Sequence, residues 1–267
     1  MTEVQDKAPD PRLPRAALVT GGARRIGAAL VRDLAQQGWK VGVHYRASGE
    51  EAAALCREIA EAGGEAVALQ ADLRDETATS GLIAEASAAL GPLGLLVNNA
   101  SIFEYDDVET ADRESWQSHL DINLRAPFVL TQAFAAALPE DAQGLVVNLL
   151  DARVWNLSPR YMSYTLSKSG LWTLTQTLAQ ALAPKVRVNG IGLGPTLPSN
   201  GQSGEDFAAR RSRLPLQNTP ALAEVAAALR FLIAAGSMTG QMVGLDGGDH
   251  LTRADVGSDP VNGHSNG

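Results

Sequence analysis

Cysteine is nearly missing from this chain: Cys56 is the only one in 267 residues. A single thiol excludes an intramolecular disulfide and a structural zinc site built from cysteines, and it fits a reducing, cytoplasmic setting. Long apolar runs are missing too, since no stretch approaches the roughly 20 apolar residues of a membrane span. Residues 1–14 mix charges with three prolines where a signal peptide would have an apolar run, so no export leader is expected. Positive charge is in short supply: 22 Lys and Arg face 30 Asp and Glu, for a net charge of -8. So acidic a surface repels phosphate backbones and anionic lipid, so neither nucleic acid nor a membrane is an expected partner. No metal site is expected.

What is present is length enough for one large α/β domain or two small ones, with 45% apolar residues to bury. Residues 1–14 and 253–267 read as flexible tails, the second rich in Gly, Asn, Asp and Ser. Between them, over 15–252, short β-type runs alternate with helical patterns. Strands are expected at 16–20, 39–45, 66–70, 93–97, 145–149, 186–191 and 242–245. Helices are expected from about Arg25, then over 50–62, 76–90, 114–138, 161–182 and 222–234, with a bend where Pro127 interrupts the fourth. Regular alternation implies parallel strands with right-handed crossovers and helices on both faces. The expected fold is therefore α/β, a single doubly wound Rossmann-type domain with a seven-stranded parallel sheet.

The first strand runs into Thr20-Gly21-Gly22-Ala23-Arg24-Arg25-Ile26-Gly27 and then a helix. Glycines let a backbone approach a pyrophosphate, and the helix N-terminus offers unpaired N–H groups and a positive dipole. A purely structural turn would use the same glycines, but a place in the first βα unit favours a dinucleotide. Arg25 stands where a middle glycine is usual. Arg24 and Arg25 oppose the helix dipole unless an anion is near, so the alternatives are two solvated arginines or an Arg25 that reaches the diphosphate or the substrate. The second strand ends in His44-Tyr45-Arg46-Ala47-Ser48, without the acidic residue that holds ribose hydroxyls in NAD enzymes. Arg46 and Ser48 suit a 2′-phosphate, with Arg24 beside them, so the expected cofactor is NADPH/NADP+.

Tyr164-Thr-Leu-Ser-Lys168 puts a phenol and an ammonium four residues apart on one helix face. The expectation is that Lys168 lowers the Tyr164 pKa toward working pH. With the glycine loop and Asn98-Asn99-Ala100, these residues resemble the short-chain dehydrogenase/reductase family over nearly all of 15–253. That resemblance implies that Tyr164 donates the proton and that Lys168 binds the nicotinamide ribose. It further implies that Asn123, in Asp121-Ile-Asn-Leu124, holds a relay water and that Asp72, in Gln70-Ala-Asp-Leu73, contacts adenine. Leu73, Asn99, Ala100 and Gly194 complete the implied cofactor set.

Asp151 departs from the family pattern, which usually has a serine thirteen residues before the tyrosine. A carboxylate has no proton for a ketone oxygen and repels an oxyanion, but it suits amino groups or an imine nitrogen. The alternatives are a loop cap or a degenerate enzyme. Asp151, Arg25, His44–Ser48 and Asn98-Asn-Ala-Ser-Ile-Phe103 together resemble the pteridine reductase and dihydromonapterin reductase branch. The resemblance implies that Phe103 stacks on a pterin against the nicotinamide, that Ser101 and Arg25 touch cofactor and substrate, and that Tyr161 lines the pocket. An aromatic face is a sound platform for a flat heterocycle, though Phe103 alone also reads as a core residue. The polar segment 194–218 is expected to be a flexible lid. A carbonyl or 3-oxoacyl reductase is the alternative enzyme, and a non-catalytic NADP(H)-binding regulator the alternative of another class. Apolar residues on more than one face of the long helices, Trp116, Phe128, Leu171 and Trp172 among them, imply self-association. The family resemblance implies a homotetramer.

Overall fold

The computed structural model describes residues 11–199 and 201–252. Among them, seven strands form one parallel sheet in the order β3-β2-β1-β4-β5-β6-β7. The strands are β1 (Ala16–Val19), β2 (Lys40–Tyr45), β3 (Ala66–Gln70), β4 (Leu95–Asn98), β5 (Gly144–Asp151), β6 (Val186–Leu193) and β7 (Met242–Leu245). The helices are α1 (Arg25–Gln36), α2 (Gly49–Glu61), α3 (Glu76–Leu90), α4 (Arg113–Leu120), α5 (Ala126–Ala137), α6 (Met162–Leu182), α7 (Gly204–Ser212) and α8 (Leu222–Ala234).

The strands read as continuous apolar runs because both sheet faces are covered. Successive side chains point to opposite faces. Ala17 and Val19 enter the core shared with α1 and α8, while Leu18 enters the core shared with α3 and α5. In β4, Leu95 and Val97 point one way and Leu96 the other; in β5, Leu145 and Val147 oppose Val146. The strand order reverses between β1 and β4. Their carboxyl ends therefore splay into a crevice, the usual ligand position in such sheets.

Four local features differ from the sequence expectation. The ordered domain begins before Arg15, since Leu13 is buried and the Arg12 carbonyl accepts the Gln143 N–H at 2.8 Å. The segment expected as one bent helix is two, α4 and α5, joined by a wide π-type turn over Asp121–Arg125. Pro127 has no N–H for the Asn123 carbonyl four residues back, and its ring cannot pack beneath that carbonyl, so the ladder widens ahead of it. The polar segment 194–218 contains a helix, α7. Ser203 caps it, accepting the Asp206 N–H, with acidic residues in its first turn and Arg210 and Arg211 in its last. Tyr161 lies outside α6 in the left-handed region at φ 56°. The expected C-terminal tail, 253–267, falls outside the described residues.

Candidate active site

The crevice at the β1/β4 switch point is a cleft of about 480 Å³. Gly21 enters it at φ 60°. Gly27 packs so closely that a Cβ there would lie 2.1 Å from the Gly21 carbonyl oxygen. The first turn of α1 is thus drawn against the loop, presenting N–H groups to the cleft. Arg24, Arg25 and Ile26 line the same wall. Arg25 takes a left-handed backbone, φ 53°, and its guanidinium donates to the Pro198 carbonyl at 2.8 Å, tying the glycine loop to the segment before α7. Arg24 is 3.7 Å from Glu51 in an exposed pair.

Tyr45, Arg46 and Ser48 line the outer end, and Asp72 and Leu73 face them from the turn after β3. Asp72 is held at a pKa of about 2, chiefly by hydrogen bonds from the Arg74 side chain. His44, expected as a cofactor contact, reaches the cleft but has both ring nitrogens engaged. Nδ1 accepts the Gly21 N–H at 3.1 Å, so Nε2 carries the proton and donates to the Ala71 carbonyl at 3.2 Å. Burial pushes its pKa below the usual histidine value. His44 therefore pins the glycine loop as a neutral ring.

The third wall is Asn99, Ala100 and Ser101. The Asn99 amide donates to the Thr20 and Gly21 carbonyls at 2.8 and 3.1 Å, fixing the loop from the other side. Ala23, Ala47, Ile102 and Ile122 also line the cleft. Sequence reasoning passed over them because apolar residues without a motif carry no distinguishing signal.

The remaining expected residues, Tyr164, Lys168 and Gly194, lie beyond this cleft's lining. Gly194 donates to the Leu245 carbonyl at 2.9 Å and so ties the residue after β6 to the end of β7. The Tyr164 hydroxyl donates to Asp151 Oδ2 at 2.8 Å, and Asp151 Oδ1 accepts the Arg153 N–H at 2.7 Å. Lys168, fully buried, donates to the Leu149 carbonyl at 2.9 Å, with its ammonium 5.8 Å from the Tyr164 ring centre. The expected effect of Lys168 on Tyr164 is not what this arrangement produces. Burial first, and the Asp151 charge and hydrogen bond next, raise the Tyr164 pKa well above the usual phenol value. Burial lowers the Lys168 pKa to about 8, against the pull of Asp151. Tyr164 is thus held as a proton-bearing phenol.

Asn123 is fully buried, and its side chain is fully engaged. Oδ1 accepts from the Ser101 hydroxyl and the Ile102 N–H, both at 3.0 Å. Nδ2 donates to the Ile102 carbonyl at 3.1 Å and to the Ser167 hydroxyl at 3.0 Å. The side chain ties the cleft wall to α6, whose Ser167 donates to the Tyr164 carbonyl. Phe103 stacks on Tyr161, ring centres 4.4 Å apart, and meets Tyr164 edge-on at 4.7 Å. The Arg153 guanidinium lies 5.1 Å from the Tyr161 ring centre and 5.7 Å from that of Phe103. One face of Phe103 is therefore covered by Tyr161. Asn98, Asn148 and Thr175 form a buried chain that joins β4, β5 and α6 beneath the site. Among the described residues, no group of His, Cys, Asp and Glu could hold a metal ion.

Residues 15–206 match the short chain dehydrogenase family. Two solved structures are similar over nearly the whole chain. The FolM alternative dihydrofolate reductase 1 of Brucella canis, complexed with NADP, is 47% identical at a TM-score of 0.88, over 94% of this chain and 99% of that one. The corresponding Brucella suis protein, also in complex with NADP, is 49% identical at a TM-score of 0.87, over 92% and 97%. A probable galactose dehydrogenase, GalD, of Rhizobium meliloti is 34% identical over 93% of this chain and 99% of the relative.

Proposed function

The chain belongs to the short-chain dehydrogenase family, and from that premise we propose that it is an NADPH-dependent reductase of a pterin C=N bond, taking a dihydropterin or dihydrofolate to its tetrahydro form. The cleft fits NADP(H): a tight glycine turn at a helix N-terminus suits the diphosphate, and Arg46 with Ser48 suits a 2′-phosphate. The two Brucella neighbours, both NADP complexes, support that cofactor. NADPH bound there supplies the hydride.

The observation that carries the substrate reading is the 2.8 Å contact between Tyr164 and Asp151. A ketone oxygen within reach of both groups would meet the Tyr164 donor on one side but a repelling carboxylate, in place of a second donor, on the other. A ring N–H or amino group would meet an acceptor. Tyr164 holds its proton because burial and Asp151 disfavour the phenolate, and it delivers that proton to the reduced nitrogen. Lys168 braces the end of β5 through the Leu149 carbonyl and keeps a cation near the ribose position. Phe103 supplies the apolar face for a flat ring.

The test is oxidation of NADPH, followed by nicotinamide absorbance, with dihydrobiopterin, dihydromonapterin, dihydrofolate and a ketone panel. Turnover of ketones with none of pterins rejects the reading in favour of a carbonyl reductase. Arg46→Asp should move preference toward NADH; equal efficiency of the unaltered enzyme with both cofactors rejects the 2′-phosphate assignment.

A homotetramer in the cytoplasm completes the reading. Trp116 on α4 and Leu166 on α6 are 41% and 49% exposed, and a groove between α4, α5 and α6 is lined by Leu120, Leu124, Phe128 and Leu174. A second copy would cover that surface. Leu171, expected to contribute, points inward and is buried.

A further inference from the structure

Three buried polar side chains lie outside the chemistry just described: Asp106, in the loop after β4, His119 on α4 and Ser163 on α6. The Asp106 carbonyl accepts the N–H groups of Tyr161, at 2.6 Å, and Met162, at 3.4 Å. Its carboxylate accepts the Ser163 N–H at 3.2 Å and the Ser163 hydroxyl. The same hydroxyl is 2.7 Å from His119 Nδ1, and His119 Nε2 accepts the Glu104 N–H at 3.2 Å. With Nε2 accepting, the ring proton is on Nδ1, which also faces the Ser115 carbonyl at 2.9 Å. Serine, histidine and carboxylate are together here, but as no nucleophile. The hydroxyl is closed off from solvent and donates its hydrogen bond to the Asp106 carboxylate.

Instead, one residue from a distant loop satisfies the first N–H groups of α6, whose own N-cap, Tyr161, makes no side-chain cap. A carboxylate at that end also favours the helix dipole. Tyr161 stands there in a left-handed conformation that costs a non-glycine residue free energy and persists only where its surroundings impose it. Phe103 stacks on one side of its ring and Tyr105 meets it edge-on, centres 5.2 Å apart. Both come from the same short loop as Asp106. The loop therefore grips Tyr161 by backbone and by ring.

We propose that Asp106 is a positioning residue of the active site: its carboxylate, fastened to the Ser163 N–H and hydroxyl, holds the loop main chain against the first turn of α6, so that its carbonyl keeps Tyr161 left-handed and sets the Phe103–Tyr161 aromatic wall beside Tyr164. The kinetic arm of the test rests on the pterin reading; the structural arm does not. Four variants are compared: Asp106→Ala, Asp106→Asn, Tyr161→Asn, and Asp106→Ala combined with Tyr161→Asn. Asparagine at 161 tolerates the left-handed backbone but lacks the ring. Asp106→Ala should raise the dihydropterin KM about tenfold while the NADPH Kd, from nicotinamide fluorescence, stays within about twofold. Asp106→Asn, which keeps an acceptor, should recover most of the loss. Adding Asp106→Ala to Tyr161→Asn should change KM little further, because the ring it acts through is already gone. A crystal structure of Asp106→Ala with NADPH should show Tyr161 off Phe103.

Multiplicative KM effects in the double variant, or Tyr161 unmoved in the crystal structure, overturn the proposal. Should Asp106→Ala fail to fold, Ser163→Ala removes the hydroxyl with its Asp106 and His119 contacts but keeps the Ser163 N–H bond to the carboxylate; a KM rise of about threefold supports the proposal and an unchanged KM rejects it. If the unaltered enzyme turns over no pterin, the function reading fails while the position of Tyr161 in the variant still decides this one.

Discussion

At the scale of single residues the proposed chemistry turns on the proton of Tyr164 and on Asp151, whose carboxylate accepts the Tyr164 hydrogen bond. Asp151→Ser removes that acceptor and leaves the glycine loop untouched. A charge-assisted contact is worth about 1.5–3 kcal/mol, so kcat/KM for dihydropterin should fall ten- to about a hundredfold with NADPH affinity unchanged. Tyr164→Phe, which deletes the proton itself, should be more severe. Lys168 gives a second expectation, with its sign set by linkage. Its folded pKa, about 8, lies below the ordinary lysine value of 10.5. Below pH 8 the cation is buried at full cost; as pH rises from 8 toward 10.5 the folded chain sheds the proton first and that cost fades. Lys168→Met should therefore raise Tm at neutral pH while reducing activity, and its advantage should shrink in melts at about pH 9.5. An advantage that grew with pH would show that the buried ammonium is not the source.

Among the elements, the strand–turn–helix unit of β1 and α1 is held from several sides. His44 on β2 and Asn99 just after β4 fasten the loop at Gly21, and Gly27 packs on it with no room for a methyl group. Gly27→Ala puts a carbon against backbone, which cannot swing aside as a side chain would. We expect NADPH affinity to drop at least about a hundredfold, read by fluorescence titration, with a lower Tm as the companion signal. Full affinity in this variant would mean that the cofactor does not sit on this turn. The α4–α5 junction shows the opposite case, where one proline turns a helix into two and leaves Asn123 at the break. Periodicity announced the helical content and Pro127 an interruption. The wide turn ahead of the proline depends on what Asn123 grips, which no local rule encodes.

On the scale of the whole molecule, an acidic chain of 28.0 kDa presents a groove between α4, α5 and α6 in which Leu120, Leu124, Phe128 and Leu174 are rimmed by Glu76, Gln117, Asp121 and Arg125. If copies meet there, light scattering should give about four times the chain mass at micromolar concentration, and Leu166→Glu should lower it, since a half-exposed leucine becomes a charge in the contact. A monodisperse monomer of the unaltered chain would sink the tetramer.

The sequence by itself determined the sheet, because apolar strands covered on both faces and amphipathic helices between them leave few topologies. It also determined the cofactor loop and the shared helix face of Tyr164 and Lys168 by residue type and spacing, since a glycine turn and a Y-x-x-x-K pattern are local signals. What tertiary structure alone decided is where protons and rings rest. The direction of the Tyr164 pKa follows from burial and from Asp151, which reaches it from another element. The hydrogen bonds by which His44 and Asn123 hold the cleft walls could not be read locally, because their partners, Gly21, Ala71, Ile102 and Ser167, are distant in the chain. Asp106 gave no motif at all: its role exists only where a loop after β4 meets the first turn of α6, and a hydrogen bond across 57 residues has no period to read.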